Sequence, residues 1–328
     1  MAIRTLTRRS FTLGALAAGL GISNLARANE KDWPQSTVTI IVPFPAGAAT
    51  DITGRVVAAK LSKMWSQAVV IDNRGGGNGI SAAEAAARAK PNGLTLFLTS
   101  AMTQAVNPAM YDKLPYDPVK DFEPITRLVS GPFVVLVPTT SPIKTLAQLT
   151  AVLKAEPGKH NFGAGALPAR VAAELYRQLA GVDVVSIAYK SNPQAFSDLF
   201  SGRLTFMAID MVNAKLQIDG GKMRGLAVSF AQRQAELPDV LSSDEAGLPG
   251  FELTTWNGFY APRGTPASLV DKINRDIILA CQDPALLRSF DSMGGHPKTT
   301  TPQEFKEFTA SEIKKWGSII ARSNIKLD

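Results

Sequence analysis

The stretch Val42–Asp51, VPFPAGAATD, runs an apolar strand into two prolines and a set of small residues just before a helical pattern. The chemistry open to such a junction is anion binding by backbone. Pro43 and Pro45 end the strand and stiffen its exit. Ala46, Gly47, Ala48 and Ala49 leave the main chain approachable, Thr50 reads as an N-cap, and Asp51 then falls in the first helical turn. Helix N-termini carry unpaired N–H groups and partial positive charge, so they attract anions. An ordinary capped loop between strand and helix is the alternative reading of the same residues.

The segment from Asn161, NFGAGALPARVAAELY, repeats this logic. A short strand exits through Gly163 and Gly165, and Pro168 suits a first helical turn. Arg170 then sits where a basic side chain opposes the helix dipole; it is either an anion clamp or a solvated surface charge. Tyr189 and Asp210 close two further strands. Tyr189 either walls a pocket or finishes a core, and Asp210 either fixes a ligand donor or caps the helix near Asn213. The glycine run NRGGGNGIS from Asn73 matches neither the phosphate-loop nor the dinucleotide pattern and reads as a flexible surface loop before a helix. No G-x-S-x-G elbow occurs. The two histidines, His160 and His296, lie in turn contexts without metal-ligand spacing. A Ser–His pair is open but unsupported in these contexts, and no spacing singles out a carboxylate pair. No cofactor is expected.

The elements that position these loops alternate. STVTIIVPF, QAVVID, LTLFLTS, FVVLVP, DVVSIAY, LTFMAID and RGLAVSF read as strands, near-continuously apolar as strands covered on both faces are. Helical patterns lie between them at Thr53–Trp65, Ser81–Lys90, Thr145–Ala155, Ala169–Leu179 and Pro193–Ser201. This alternation predicts a doubly wound, parallel α/β sheet. After TTWNGFYAPRGTP come three helical segments, Ala267–Ala280, Pro284–Met293 and Pro302–Ala321, with Asp283 and Thr301 as N-caps of the last two. They read as a tail wrapped back onto the first lobe.

The N-terminus predicts export. Arg8 and Arg9, the apolar run Phe11–Ile22 and the pair Ala26 and Ala28 make a cleavable signal over residues 1–28, of twin-arginine type. Removing Arg4, Arg8, Arg9 and Arg27 from a net charge of +7 leaves +3, spread along the chain, which is no nucleic-acid footprint. Cys281 is the only cysteine, so no internal disulfide forms; its helical apolar setting marks a buried structural thiol.

Taken together, IIVPFPAGAATDITGRVVAAKLS, VVIDNRGGGNGISAAEAAARAKPNGLTL, AVNPAMYDKLPYDPVKDFEPIT and AAELYRQLAGVDVVSIAYKSNPQAFSDLFSGRL resemble the substrate-binding proteins of tripartite tricarboxylate transporters, the Bug receptors. The likeness continues through LPGFELTTWNGFYAPRGTP and covers essentially the whole mature chain. It implies an α/β, two-lobed periplasmic binding protein of type II-like form, each lobe a doubly wound, mostly parallel sheet with flanking helices. Residues 29–129 plus 250–328 form lobe 1, residues 130–249 lobe 2, and a hinge joins them. It implies a monomer in the periplasm that hands a small organic carboxylate to one large and one small membrane subunit. The site carried over by the resemblance comprises Phe44, Ala46, Gly47, Ala48, Ala49 and Asp51 of the first loop, and Gly163, Ala164, Gly165, Ala166, Leu167 and Arg170 of the second. Asn107, Tyr189, Lys190, Ser191 and Asp210 fall near the same cleft. The ligand carboxylate is expected on the amides of Gly47, Ala48, Ala49 and Asp51.

The chain departs from that family pattern in both loops. Ala46-Gly47-Ala48-Ala49 stands where P-G-G and a hydroxyl residue are common, and the second loop lacks the hydroxyls of S-G-x-G-T-S-S. A site stripped of hydroxyls leaves buried ligand hydroxyls unpaired, at about 1–3 kcal/mol each. The expected ligand is thus a weakly hydroxylated aromatic or aliphatic dicarboxylate. Output to a membrane sensor kinase instead of a transporter, and a periplasmic hydrolase, are the alternative functions.

Overall fold

The computed structural model of the chain describes residues 33–189, 191–292, 297–323 and 325. The expected export signal, Lys190 and His296 lie outside these residues. Nine strands form one sheet: β1 (Val38–Val42), β2 (Val69–Asn73), β3 (Thr95–Ser100), β4 (Phe122–Pro138), β5 (Asn161–Ala164), β6 (Val185–Ala188), β7 (Phe206–Asp210), β8 (Met223–Val228) and β9 (Thr254–Pro262). Their order is β2-β1-β3-β9-β4-β7-β5-β6, with β8 also paired to β4. Ten α-helices accompany them among the described residues: α1 (Ala49–Trp65), α2 (Ile80–Ala87), α3 (Asn107–Met110), α4 (Leu146–Ala155), α5 (Leu167–Ala180), α6 (Asn192–Phe200), α7 (Met211–Asp219), α8 (Ala267–Cys281), α9 (Pro284–Ser292) and α10 (Pro302–Ala321). None of the described helices is long and apolar enough to cross a membrane.

The α/β expectation holds, and the sheet is mixed. β1 pairs in parallel with β2 and β3, and β5 with β6 and β7. The centre is antiparallel, because β4 and β9 run against each other and against their other neighbours. β9 and the first half of β4 escape sequence reading for physical reasons. β9 carries Gly258 in mid-strand, where a Cβ would overlap Phe305 of α10, so close helix approach selected the glycine. The first half of β4 holds Pro124 and register shifts at Pro124/Thr126 and Arg127/Val129, which blur its period.

β4 changes partners in mid-course. Residues Phe122–Pro132 pair with β9, ending at Pro132 opposite Thr254. From Phe133, opposite Asp210, it pairs with β7 and then β8. Ser229 fastens this exchange. Its N–H donates to Phe133 O (2.8 Å), its hydroxyl accepts from Phe133 N–H (2.7 Å), and the hydroxyl donates to Leu253 O just before β9.

Apolar packing follows the sheet's faces. Val57, Leu61, Ile273 and Ile277 of α1 and α8 cover Val42, Leu98 and Phe259. A second core runs unbroken from Phe97 and Tyr260 to Val135, Phe162 and Tyr176. A third packs Leu199 of α6 and Ala214 of α7 on Val134, Leu136 and Ile209. Cys281 is buried, and burial pushes its thiol up to about 12, as a structural cysteine requires.

The tail reaches further than the first lobe. α10 starts on the capping box of Thr301 and Glu304, as Thr301 predicted, and Asp283 Oδ1 accepts from Ala285 N–H and Leu286 N–H at the start of α9. At its far end α10 meets α5, where Gln178 Nε2 donates to Ile319 O (3.3 Å) and Ser323 Oγ (2.8 Å). Between these ends the Glu312 carboxylate, 1% exposed, accepts from Thr254 Oγ1 (3.1 Å), Trp256 Nε1 (3.2 Å) and Trp316 Nε1 (2.9 Å) on one oxygen. Glu312→Ala leaves these donors unpaired in the core. Each stranded group costs about 1–3 kcal/mol, so the variant should lose about 3 kcal/mol or more, read as a lowered urea midpoint at unchanged m-value.

Candidate functional site

The registers place every parallel strand's exit on one gap. β3 ends at Ser100 opposite Asn257, beside β1, while β5, β6 and β7 end at Ala164, Ala188 and Asp210. Asp210 lies opposite Phe133, where β4 exchanges partners. The loops following β1, β3, β5, β6 and β7 therefore converge, and these are the carboxyl ends at which open α/β sheets bind ligands.

The first loop is more tightly built than its small residues imply. α1 begins two residues earlier than predicted: its N-cap is Ala48, which makes no side-chain capping bond, and Thr50 lies inside the helix. Asp51 is the reason. At the third helical position its carboxylate folds back, as the acidic partner of a capping box does, and accepts from Gly47 N–H (2.8 Å). It also accepts from Asn73 Nδ2 (2.9 Å), and Arg55 Nε lies 3.0 Å from both of its oxygens. Asn73 further donates to Phe44 O (3.1 Å). Ala48 N–H donates to Pro45 O (3.2 Å). Gly47 and Ala48 thus have internal partners, which corrects the expected donor set. The helical ladder begins with Ile52 N–H on Ala48 O, so the donors left at the mouth are Ala49, Thr50 and Asp51. Ala46, Gly47 and Ala49 are exposed, Phe44 and Ala48 half-buried.

Against this loop lies the glycine run, whose residues 74–78 are exposed at the surface, as expected. Gly79 is buried with φ +75°, and a Cβ there would stand 2.7 Å from Pro43 Cβ. Asn107 ties the next layer: it is fully buried and donates through Nδ2 to Asn78 O (2.9 Å) and Tyr116 Oη (3.2 Å). It supports the first loop from behind and does not stand at its surface.

The second loop also ends in an uncapped helix. Ala166 is the N-cap of α5 with no side-chain cap, and the ladder begins with Arg170 N–H on Ala166 O (3.1 Å). Leu167 and Ala169 N–H groups precede it, while Pro168 supplies none. Arg170 has no carboxylate within ion-pair distance among the described residues, and its Nε is buried without a hydrogen-bond partner. Gly163 and Ala164 are buried in β5 itself. Gly165 is pressed against the next exit, since a Cβ there would overlap Asn192 N. Tyr189 finishes a core: its ring lies over Gly163 and its hydroxyl donates to Asp198 Oδ2 (2.8 Å) on α6. Ser191 is the uncapped N-cap of α6. Asp210 caps α7, accepting from Asn213 N–H (3.0 Å) and Nδ2 (2.8 Å). Each of its oxygens retains accepting capacity.

Sequence reasoning passed over several side chains that the fold brings to these exits. Gln104 stands on a π-helical turn, Met102–Val106, directly after β3, and both of its amide atoms are buried and unpaired. Asn192 Oδ1 and Asn257 Oδ1 share that condition. Their only signal in the sequence is an amide a few residues from a strand end. A separate open depression of about 520 Å³ lies among residues Pro108 to Asp121. Asp112, Asp117 and Asp121 line it, with Lys120 paired to Asp117 at 3.0 Å.

Residues 53–325 match the family described as tripartite tricarboxylate transporter family receptor. A UPF0065 protein of Bordetella bronchiseptica is 34% identical over 311 residues, covering 95% of this chain and 92% of that protein. Protein BugT of Bordetella pertussis is 30% identical over 325 residues, with 98% and 99% covered. Among solved structures, an R. palustris protein with adipate superposes at a TM-score of 0.79 with 30% identity, covering 88% of this chain and 97% of that one. MatC of Rhodopseudomonas palustris with bound malate gives 0.76 at 29% identity, covering 88% and 100%.

The Asp51 node is testable on its own. Burial alone would raise its pKa, but hydrogen bonds from Arg55, Gly47 and Asn73 and the Arg55 charge outweigh that and hold the carboxyl below its ordinary 3.8. A depressed folded pKa gives stability that is full above the unfolded value and is lost as pH falls through the folded one. Asp51→Asn should cost about 1–2 kcal/mol at pH 7, and the gap from wild type should narrow as pH drops below about 4, followed by urea denaturation across that range.

Proposed function

This chain belongs to the tripartite tricarboxylate transporter receptor family, and from that premise we propose that it captures a small, weakly hydroxylated aromatic or aliphatic dicarboxylate between two lobes. The family is one of solute-binding receptors, and the proposal contains no bond chemistry. The observation that carries it is the pair of uncapped helix starts at one gap: α1 offers Ala49, Thr50 and Asp51 N–H groups, and α5 offers Leu167, Ala169 and the unpaired Arg170. Unpaired donors and a partial positive charge at both sites suit an anion.

Lobe 1 comprises residues 29–129 and 250–328, and lobe 2 residues 130–249. One carboxylate docks on α1, and the α5 loop with Ser191 closes over it, bending where β4 and β9 pass between lobes. Closure follows from contacts the ligand makes only in the closed form. The membrane subunits of the transporter then read the closed shape, in the periplasm. Neither loop brings a hydroxyl of its own apart from Thr50 and Ser191, which supports an apolar ligand body. Of two neighbours at about 30% identity, one is solved with adipate and one with malate, which supports a dicarboxylate.

Isothermal titration of the mature protein tests the reading. Adipate or an aromatic diacid should bind at least tenfold more tightly than citrate. Equal or tighter binding of citrate would overturn the ligand class. Arg170→Gln should weaken diacid binding at least tenfold, about 1.4 kcal/mol, and small-angle scattering should show a smaller radius of gyration on saturation.

A further inference from the structure

α5 is engaged at both ends. Its first turn carries Leu167, Ala169 and Arg170, and its last turn carries Gln178 to the end of α10. From Leu167 to Gln178 the helix rises about 16 Å. By the lobe division above, α5 belongs to the second lobe and α10 to the first, so this far contact joins the lobes outside the chain crossings. Along α10, Trp316 packs edge-on against Phe133 at the β4 exchange, with ring centroids 6.3 Å apart. Ile319 and Ser323 follow on its next two turns.

The contact is a polar latch with one bond missing. Gln178 Nε2 donates to Ile319 O (3.3 Å) and Ser323 Oγ (2.8 Å), and Ser323 Oγ donates to Ile319 O (2.8 Å). Gln178 Oε1 is buried and has no hydrogen-bond partner. A stranded buried oxygen offsets part of what the two donor bonds contribute. Parting α5 from α10 returns that oxygen to water. The latch therefore favours the arrangement in which it is made, and by a small margin.

α5 is one rigid helix, and lobes that turn about the β4 crossing cannot approach on both sides of it. Closing the loops over a ligand draws the first turn of α5 toward α1 and its last turn away from α10. A ligand gripping the closed form must then supply the free energy that parts the latch. Its measured affinity falls in proportion to the fraction of receptor held open.

Resting on the two-lobed receptor reading above, we infer that Gln178 is a positioning residue that sets ligand affinity from outside the cleft. Its bonds to the end of α10 hold the lobes open, so weakening them tightens binding. A residue with a merely structural role gives the opposite sign, because loosening the fold weakens binding or leaves it unchanged.

Titration calorimetry with adipate compares the mature wild type with Gln178→Ala and Gln178→Glu. Alanine removes both donor bonds and the stranded oxygen. Glutamate keeps the shape, but its carboxylate cannot donate to Ile319 O. Each variant should bind adipate at least threefold more tightly than wild type. Small-angle scattering of each ligand-free variant should give a smaller radius of gyration than ligand-free wild type. Unchanged or weaker binding by a variant that keeps a single cooperative urea transition overturns the inference. Hydrogen exchange of the wild type needs no variant. On saturation with adipate, amides 319–323 should exchange at least threefold faster while those of the first turn of α1 slow. Exchange at 319–323 that stays level or slows overturns the latch and leaves the receptor reading intact. Wild type that binds none of adipate, malate and phthalate sinks the receptor reading, and the latch with it.

Discussion

The gap exists because β4 exchanges partners at Pro132 and Phe133. Up to that point its backbone groups belong to β9, and beyond it to β7 and β8. One continuous strand thereby serves two groups of parallel strands, and it fixes their relative direction. β3 then ends level with Val129 of β4 and β7 at Phe133, four residues further along, from opposite sides. Every loop discussed above inherits its position from that geometry. Ser229 holds the exchange with bonds to Phe133 and Leu253, so the backbone groups freed where the ladders part do not go unpaired.

Two further devices make the crossing stiff on one face. The core running from Phe97 to Phe162 is continuous beneath both groups of strands, and α10 spans it from Thr301 to its contact with Gln178. Glu312 gathers Thr254, Trp256 and Trp316 at the level of the crossing. The opposite face of the gap has the loops, with their uncapped helix starts. In the proposed closure, this bracing would leave the movement to the side that carries the loops.

The first loop carries an acid whose charge is met from within the loop's own surroundings. Asp51 is matched by Arg55, Asn73 and Gly47, so its charge is absorbed in shaping the loop. The N–H groups of Ala49 to Asp51 precede the first ladder bond, Ile52 N–H on Ala48 O. On the second loop the balance is simpler. Arg170 has no acidic neighbour within ion-pair distance among the described residues, and the local cost of a cation at a helix start is offset only when an anion arrives.

Much of this was legible in the chain itself. Near-continuous apolar runs ending in Pro, Gly and Ala marked most strands and the loops that open α1 and α5, because strand burial and helix starts are encoded within a dozen residues. The family likeness carried the α/β binding-protein fold. What only the tertiary structure decided depends on partners far apart in sequence. β9 was hidden by Gly258, whose reason is Phe305. The donor set shifted from Gly47 and Ala48 to Ala49, Thr50 and Asp51 because Asn73 and Arg55 hold Asp51 back against the loop. Gln104, Asn192 and Asn257 are ordinary amides in the sequence. Their unpaired amide atoms emerge only once the fold buries them, since an unsatisfied hydrogen bond is a property of surroundings and not of a residue type.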